Sequence, residues 1–139
     1  METIFASSNH FISAIKVIRI SGSKAREIPR VFNFKRTEPK KFQIRSLKYD
    51  GNIIDKAPVI WIPGPNSYTG EDMFELHVHG SIALEKLIFC SLLNEEGFRL
   101  ADKGEFTKRA LLNGRMDLVK AEAINDLVNA ETQKQLNMA

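Results

Sequence analysis

Between two apolar runs lies Pro63-Gly64-Pro65-Asn66-Ser67-Tyr68-Thr69-Gly70-Glu71-Asp72. Proline has no N–H to donate to a helix or a sheet ladder, and glycine weakens either element. At this density the two residues exclude a helix and a central strand, so the run must be an ordered loop. The β-prone residues after it, Met73-Phe74-Glu75-Leu76-His77-Val78-His79, read as a strand, closed by Gly80. The loop therefore delivers one carboxylate and two imidazoles onto a single strand. A second dense block follows later: Gly104-Glu105-Phe106-Thr107-Lys108-Arg109-Ala110-Leu111-Leu112-Asn113-Gly114-Arg115-Met116-Asp117-Leu118. It reads as a short helix over 105–112 ended by a tight turn, with Gly114 suited to positive φ.

The remaining pattern is that of alternating sheet and helix. Residues 3–7 are β-prone, Ser8-Asn9-His10 is a turn, and the β-branched run 12–20 predicts a strand carrying Lys16 and Arg19. Lys16 is expected in solvent. Ser23 is placed to cap a helix bearing Ala25, Ile28, Val31 and Phe32, which Pro29 must break or kink. Residues 34–41 are a basic surface connection. Residues 42–49 alternate apolar and polar, Asp50-Gly51-Asn52 turns the chain, and 57–62 returns as an apolar, central strand; the two make an antiparallel pair. Ser81 starts a helix whose Ile82, Leu84, Leu87, Ile88, Leu92 and Leu93 predict a wide buried stripe, stopped by Gly97 at its C′ position. A short strand over 98–101 precedes the second block. Asp117 caps a last helix with Leu118, Ala121, Ile124, Leu127 and Val128 on one face. That stripe has no evident partner in the chain, which predicts a continuation or a partner protein.

At 139 residues the expectation is one compact domain, with room for an appendage. A net charge of +3 fits a solvated surface better than a dedicated nucleic-acid face, since the basic residues cluster only at Lys35-Arg36 and Lys40-Lys41. One cysteine, Cys90, forbids an internal disulfide and reads as a buried, inert thiol in an apolar helix. No run approaches the roughly 18 apolar residues of a membrane span, and the first residues lack the pattern of a signal peptide. The expected setting is cytoplasmic, with no membrane partner.

Glu75, His77 and His79 alternate, so a strand would turn all three to one face. Three readings stay open. Imidazole and carboxylate suit zinc, but the only further histidine is His10. The three can equally be polar groups satisfied near a strand end. Or Glu75 can accept a parallel N–H/NH₂ pair of the kind pterins and guanines present. Arg19, set in an apolar strand, must be paired, to Glu75 or Asp72, or line a cavity. Glu105 complements the start of its helix, Lys108 and Arg109 read as surface charges, and Arg115 in the turn is free to reach an anion. No P-loop, dinucleotide fingerprint, nucleophile elbow or zinc-finger spacing occurs, so no self-sufficient catalytic constellation is present.

Taken in order, several stretches resemble the N-terminal domain of the MnmE (TrmE) family of tRNA-modification GTPases. They are Val17-Ile18-Arg19-Ile20-Ser21-Gly22, Pro63 to Asp72, His79-Gly80, Gly104 to Ala110, Leu112 to Leu118, and Ala121-Glu122-Ala123. The resemblance runs from Thr3 to about Gln135. It implies an α+β fold, a mixed or antiparallel sheet with helices packed on it, similar to the folate-binding domain of aminomethyltransferases. It divides the chain into a folate-binding and dimerisation domain, 1–116, and the first helix of a helical domain, 117–139. It implies a reduced folate, 5-formyltetrahydrofolate, as cofactor, with ligand contacts at Arg19, Glu75 and Arg115. Homodimerisation is implied too, as is work beside an MnmG-type flavoprotein on the wobble uridine of tRNA. The family's GTPase domain, with its GTP, magnesium and potassium, is not in this sequence, so the chain is not expected to be catalytic alone. Where the family carries a Pro/Gly-rich loop, residues 8–15 hold no glycine. That keeps two alternatives in view: a ligand-free assembly module and a small tRNA-binding protein.

Overall fold

The computed structural model describes residues 1–7 and 14–138, without side chains at 128 or from 131 onward. The sheet has six strands in the order β3-β4-β5-β2-β1-β6. They are β1 (Thr3–Ser7), β2 (Ile15–Ser21), β3 (Gln43–Tyr49), β4 (Asn52–Ile62), β5 (Met73–His79) and β6 (Phe98–Leu100). All neighbours are antiparallel except β1 and β6, so the sheet is mixed and the fold is α+β as expected. The Asp50-Gly51 turn joins β3 to β4 as an antiparallel pair. β4 starts at Asn52, earlier than its apolar stretch suggests, because the ladder to β3 carries its polar half. The expected turn at 8–10 and the first two residues of the expected second strand, 12 and 13, lie outside the described residues.

One sheet face is closed by a 3-10 turn (Ala25–Glu27), by α1 (Ile28–Val31) and by α2 (Ile82–Leu93). Phe5, Ile18, Ile20, Leu47, Val59, Phe74, Leu76 and Val78 of the sheet meet Ala25, Ile28, Phe32, Leu84, Ile88 and Leu92 of the helices there. Fully burying such a side chain contributes about 1.5–3 kcal/mol, and this layer is the main source of stability. Pro29 breaks the early helix into two short pieces, as expected. Ser23 is not its cap: a Gly22 carbonyl to Ala25 N–H turn (3.1 Å) starts the 3-10 segment, and no side chain caps it. Ser81 does cap α2, accepting from the Leu84 N–H at 3.2 Å.

Four expectations about α2 and its neighbours are corrected. The helix ends at Leu93 with Asn94 as its C-cap; Gly97, at φ +85°, instead serves the turn into β6. Its buried stripe is narrow, Leu84, Ile88 and Leu92, while Ile82, Leu87 and Leu93 are exposed. These three form the i, i+4, i+8 line against the sheet, with Phe89 partly buried beside it on Phe5. Cys90 points away from that line and is exposed rather than buried. Lys16, expected in solvent, is 7% exposed, because its strand position faces α2, where Glu85 Oε2 takes its ammonium at 2.6 Å.

Helix α3 (Glu105–Leu112) lies across one end of the other sheet face, and α4 (Leu118–Met138) leads away from it. Asp117 caps α4 through the Lys120 N–H at 2.7 Å. Ala121 is buried and Ile124 half-buried, while Leu118 and Leu127 stand exposed, so half of the described apolar stripe of α4 is uncovered. Val128 of that stripe lies outside the described side chains. No helix among the described residues is long and apolar enough to cross a membrane.

Candidate functional site

The two dense blocks of the sequence are locked to one another. Within the 64–72 loop, the Gly64 N–H donates to Asp72 Oδ1 (2.9 Å) and Ser67 Oγ donates to the Glu71 carbonyl (2.5 Å). The second block then grips the loop. Asn113 Nδ2 donates to the Thr69 carbonyl (2.8 Å), Arg115 Nε to the Ser67 carbonyl (3.1 Å), and Tyr68 bonds Thr107 through their hydroxyls (2.9 Å). A Cβ on Gly70 would stand 2.9 Å from Asn113 Cβ and 3.1 Å from Arg115 Cγ, so only glycine admits this approach. Gly114 takes the positive φ expected of it, +70°.

Beneath this clamp sits Arg109, 2% exposed and so not the surface charge that its sequence context suggests. Its Nη1 donates to Glu71 at 3.1 and 3.2 Å. Its Nη2 donates to the Glu2 carbonyl at 2.7 Å and to Glu105 at 3.2 Å. Ser21 Oγ joins the network, bonded to Thr69 Oγ1 (2.7 Å) and Glu71 Oε1 (2.8 Å). Glu105 also takes two bonds from Arg99, at 2.8 and 2.5 Å. The Arg99 bonds hold its carboxyl at about 2, against a weaker opposing effect of burial and with help from the Asp102 N–H. Glu105 thus does more than complement a helix start. The spacing Glu105–Arg109, one helical turn, is the sequence signal that could have flagged the pair.

Arg19 and Glu75 face each other in the β2–β5 register, on the two middle strands of the sheet. Arg19 Nε donates to Glu75 Oε2 at 3.1 Å, and Glu75 Oε1 lies 3.1 Å from His77 Nε2. Of the pairings open to Arg19, the structure therefore has Glu75; Asp72 takes Arg26 instead, at 2.7 Å. Alternation puts Glu75 on the face that α1 and α2 leave uncovered. Arg19 is 48% exposed and Glu75 17%, so the acid is sheltered but reachable. Phe42 packs its ring edge-on to His77, with centroids 4.9 Å apart, and Ile15 and Ile44 stand exposed on the same face. His79 leaves the group, its Nδ1 2.7 Å from Asp55 Oδ1. Among the described residues no three His, Cys, Asp or Glu side chains gather as a metal would need; His10 lies outside them.

Of the three residues expected at a ligand, hydrogen bonds unite Arg19 with Glu75 and hold Arg115 on the loop. Arg115 is exposed, and its Nη groups meet no carboxylate among the described residues. Lys108 is exposed, as expected.

Fold and site define a small α+β domain, one sheet face packed by helices and the other carrying an ion-paired carboxylate in the open. The sequence model of the family described as GTP-binding protein TrmE N-terminus matches residues 3–115, and the chain belongs to that family. Among curated relatives, the tRNA modification GTPase MnmE of Methylobacterium radiotolerans is 44% identical over 141 residues, 99% of this chain and 32% of the relative. That of Rickettsia bellii is 45% identical over 143 residues, all of this chain and 32% of the relative. The chain thus spans about a third of the length of these relatives.

Proposed function

We propose that this chain is the folate-binding, dimerising N-terminal module of a tRNA wobble-uridine modification GTPase, with residues 117–139 beginning a helical domain. The cofactor is a reduced folate such as 5-formyltetrahydrofolate, and the module acts in the cytoplasm. GTP, with magnesium and potassium, belongs to a separate domain, and tRNA and an MnmG-type flavoprotein to the complete protein. The observation that carries the reading is the Glu75 carboxylate, sheltered on an open sheet face beside Arg19. A carboxylate so placed can exchange its partner for the N–H/NH₂ edge of a pterin, two parallel charge-assisted bonds. Arg19, once released, and Arg115 supply positive charge for the carboxylates at the ligand's other end. The exposed Ile15 and Ile44 on the same face support a second copy as its cover.

One observation favours a rival, an assembly module without ligand. Both Glu75 oxygens already have partners, so the face is electrostatically complete without folate. Thermal unfolding with and without 5-formyltetrahydrofolate separates the two. Folate binding adds about 2.7 kcal/mol at a hundredfold excess over the dissociation constant and raises the melting temperature. An unchanged melting temperature in a chain that sediments as a dimer would leave the assembly reading alone.

A further inference from the structure

On the helix-packed side of the sheet, away from Glu75, a cavity of about 430 Å³ opens between the 3-10 turn, the 34–41 segment and the first residues of the 64–72 loop. Trp61, partly exposed, forms its flat apolar wall and leans on Phe74, with centroids 5.8 Å apart and planes at 30°. Arg26 is on the rim, answered by Asp72 at 2.7 Å, so that acid is already neutralised. Arg36 is exposed there and its guanidinium has no carboxylate partner among the described residues. Thr37 lines the same cavity, and its Oγ1 is buried with no hydrogen-bond partner. That oxygen is shut off from solvent, so the contacts open to a ligand are the Trp61 ring and the Arg36 guanidinium.

An aromatic wall and a guanidinium without a carboxylate partner in one cleft match a flat ring joined to an anion. The cleft also lies beside two adjacent basic pairs, Lys35-Arg36 and Lys40-Lys41, of which Lys41 is engaged by Glu38 at 2.8 Å. We propose that this cleft binds a nucleoside phosphate, its base on Trp61 and its phosphate on Arg36. Stacking on an aromatic side chain with cationic tracking of the backbone is how single strands are held without strict sequence choice. Lys35 and Lys40, exposed and close in sequence to the lining residues Arg36 and Thr37, add positive charge, so a single RNA strand suits the cleft better than a free nucleotide does. The site shares no residue with Arg19, Glu75 or Arg115, so it stands or falls apart from the folate reading.

Trp61 is the only tryptophan of the chain, so its fluorescence reports on this cleft alone. Titration of the 139-residue chain with uridine monophosphate and with a six-uridine strand is expected to quench it. Arg36→Glu weakens binding about tenfold, and Glu75→Gln leaves it unchanged. If the strand makes two phosphate contacts, raising salt from about 50 to about 200 mM weakens it roughly sevenfold. Equal affinities for nucleotide and strand would support the cleft and assign it a free nucleotide. No quenching by either at millimolar concentration would overturn the proposal. So would quenching that a folded Arg36→Glu variant retains in full.

Discussion

A guanidinium that is 2% exposed must have its charge answered inside the fold, and Arg109 meets Glu71 and Glu105 and donates to the Glu2 carbonyl, while its buried Nε has no partner. Removing one member of a buried ionic group strands the others, which typically costs 3–5 kcal/mol. Arg109→Ala is therefore expected to lose roughly 3 kcal/mol in urea unfolding, because Arg99 and Ser21 still hold the two acids. Glu105 gives a pH signature. Its carboxyl is held at about 2, below an ordinary 4.5, so the stability it adds is complete above 4.5 and is lost as pH falls toward 2. The wild-type advantage over Glu105→Gln is expected to be about 1–3 kcal/mol at neutral pH, discounted for partial solvent access, and to vanish near pH 2. A constant difference across that window would contradict the pairing. At this scale the sequence was least legible. Lys108 and Arg109 are neighbours with the same charge, yet one is exposed and the other is the centre of a network, a difference set by which side of α3 meets the 64–72 loop.

Elements were far more legible. Alternation identified β3, the Pro/Gly run separated β4 from β5, and Ser81 marked the start of α2. Ser81→Ala is expected to cost about 1 kcal/mol, measured by thermal unfolding, since it frees the Leu84 N–H. What failed was the width and end of α2. Apolar residues at Ile82, Leu87 and Leu93 satisfy helical periodicity but fall outside the line that the sheet covers. Periodicity reports which residues suit burial, and only the packing partner decides how many are buried. The same limit applied to Lys16, expected in solvent: the strand turns it toward α2, where Glu85, 69 residues away, is its partner. For the site, strand alternation placed Glu75 with His77, and the ladder brought Arg19 to Glu75. The grip of Arg115 on Ser67 depends on two loops meeting, which no local pattern encodes.

In the whole molecule, helices cover one sheet face and α3 covers only an end of the other. The open part combines exposed Ile15 and Ile44 with the Arg19–Glu75 pair, an arrangement suited to a second protomer with a ligand between. Sedimentation is expected to give a dimer, and Ile44→Asp, which puts a charge into that surface, to shift it toward monomer while the far-ultraviolet circular dichroism stays unchanged. A chain monomeric at tens of micromolar would remove the support for dimerisation. The folate claim meets its most direct test in titration calorimetry of 5-formyltetrahydrofolate into the wild-type chain and Glu75→Gln, which keeps the side chain's shape and removes its charge. The account predicts binding heat for the wild type and at least a tenfold weaker affinity for the variant, about 1.4 kcal/mol. Equal affinities, or no heat from either chain, would contradict it.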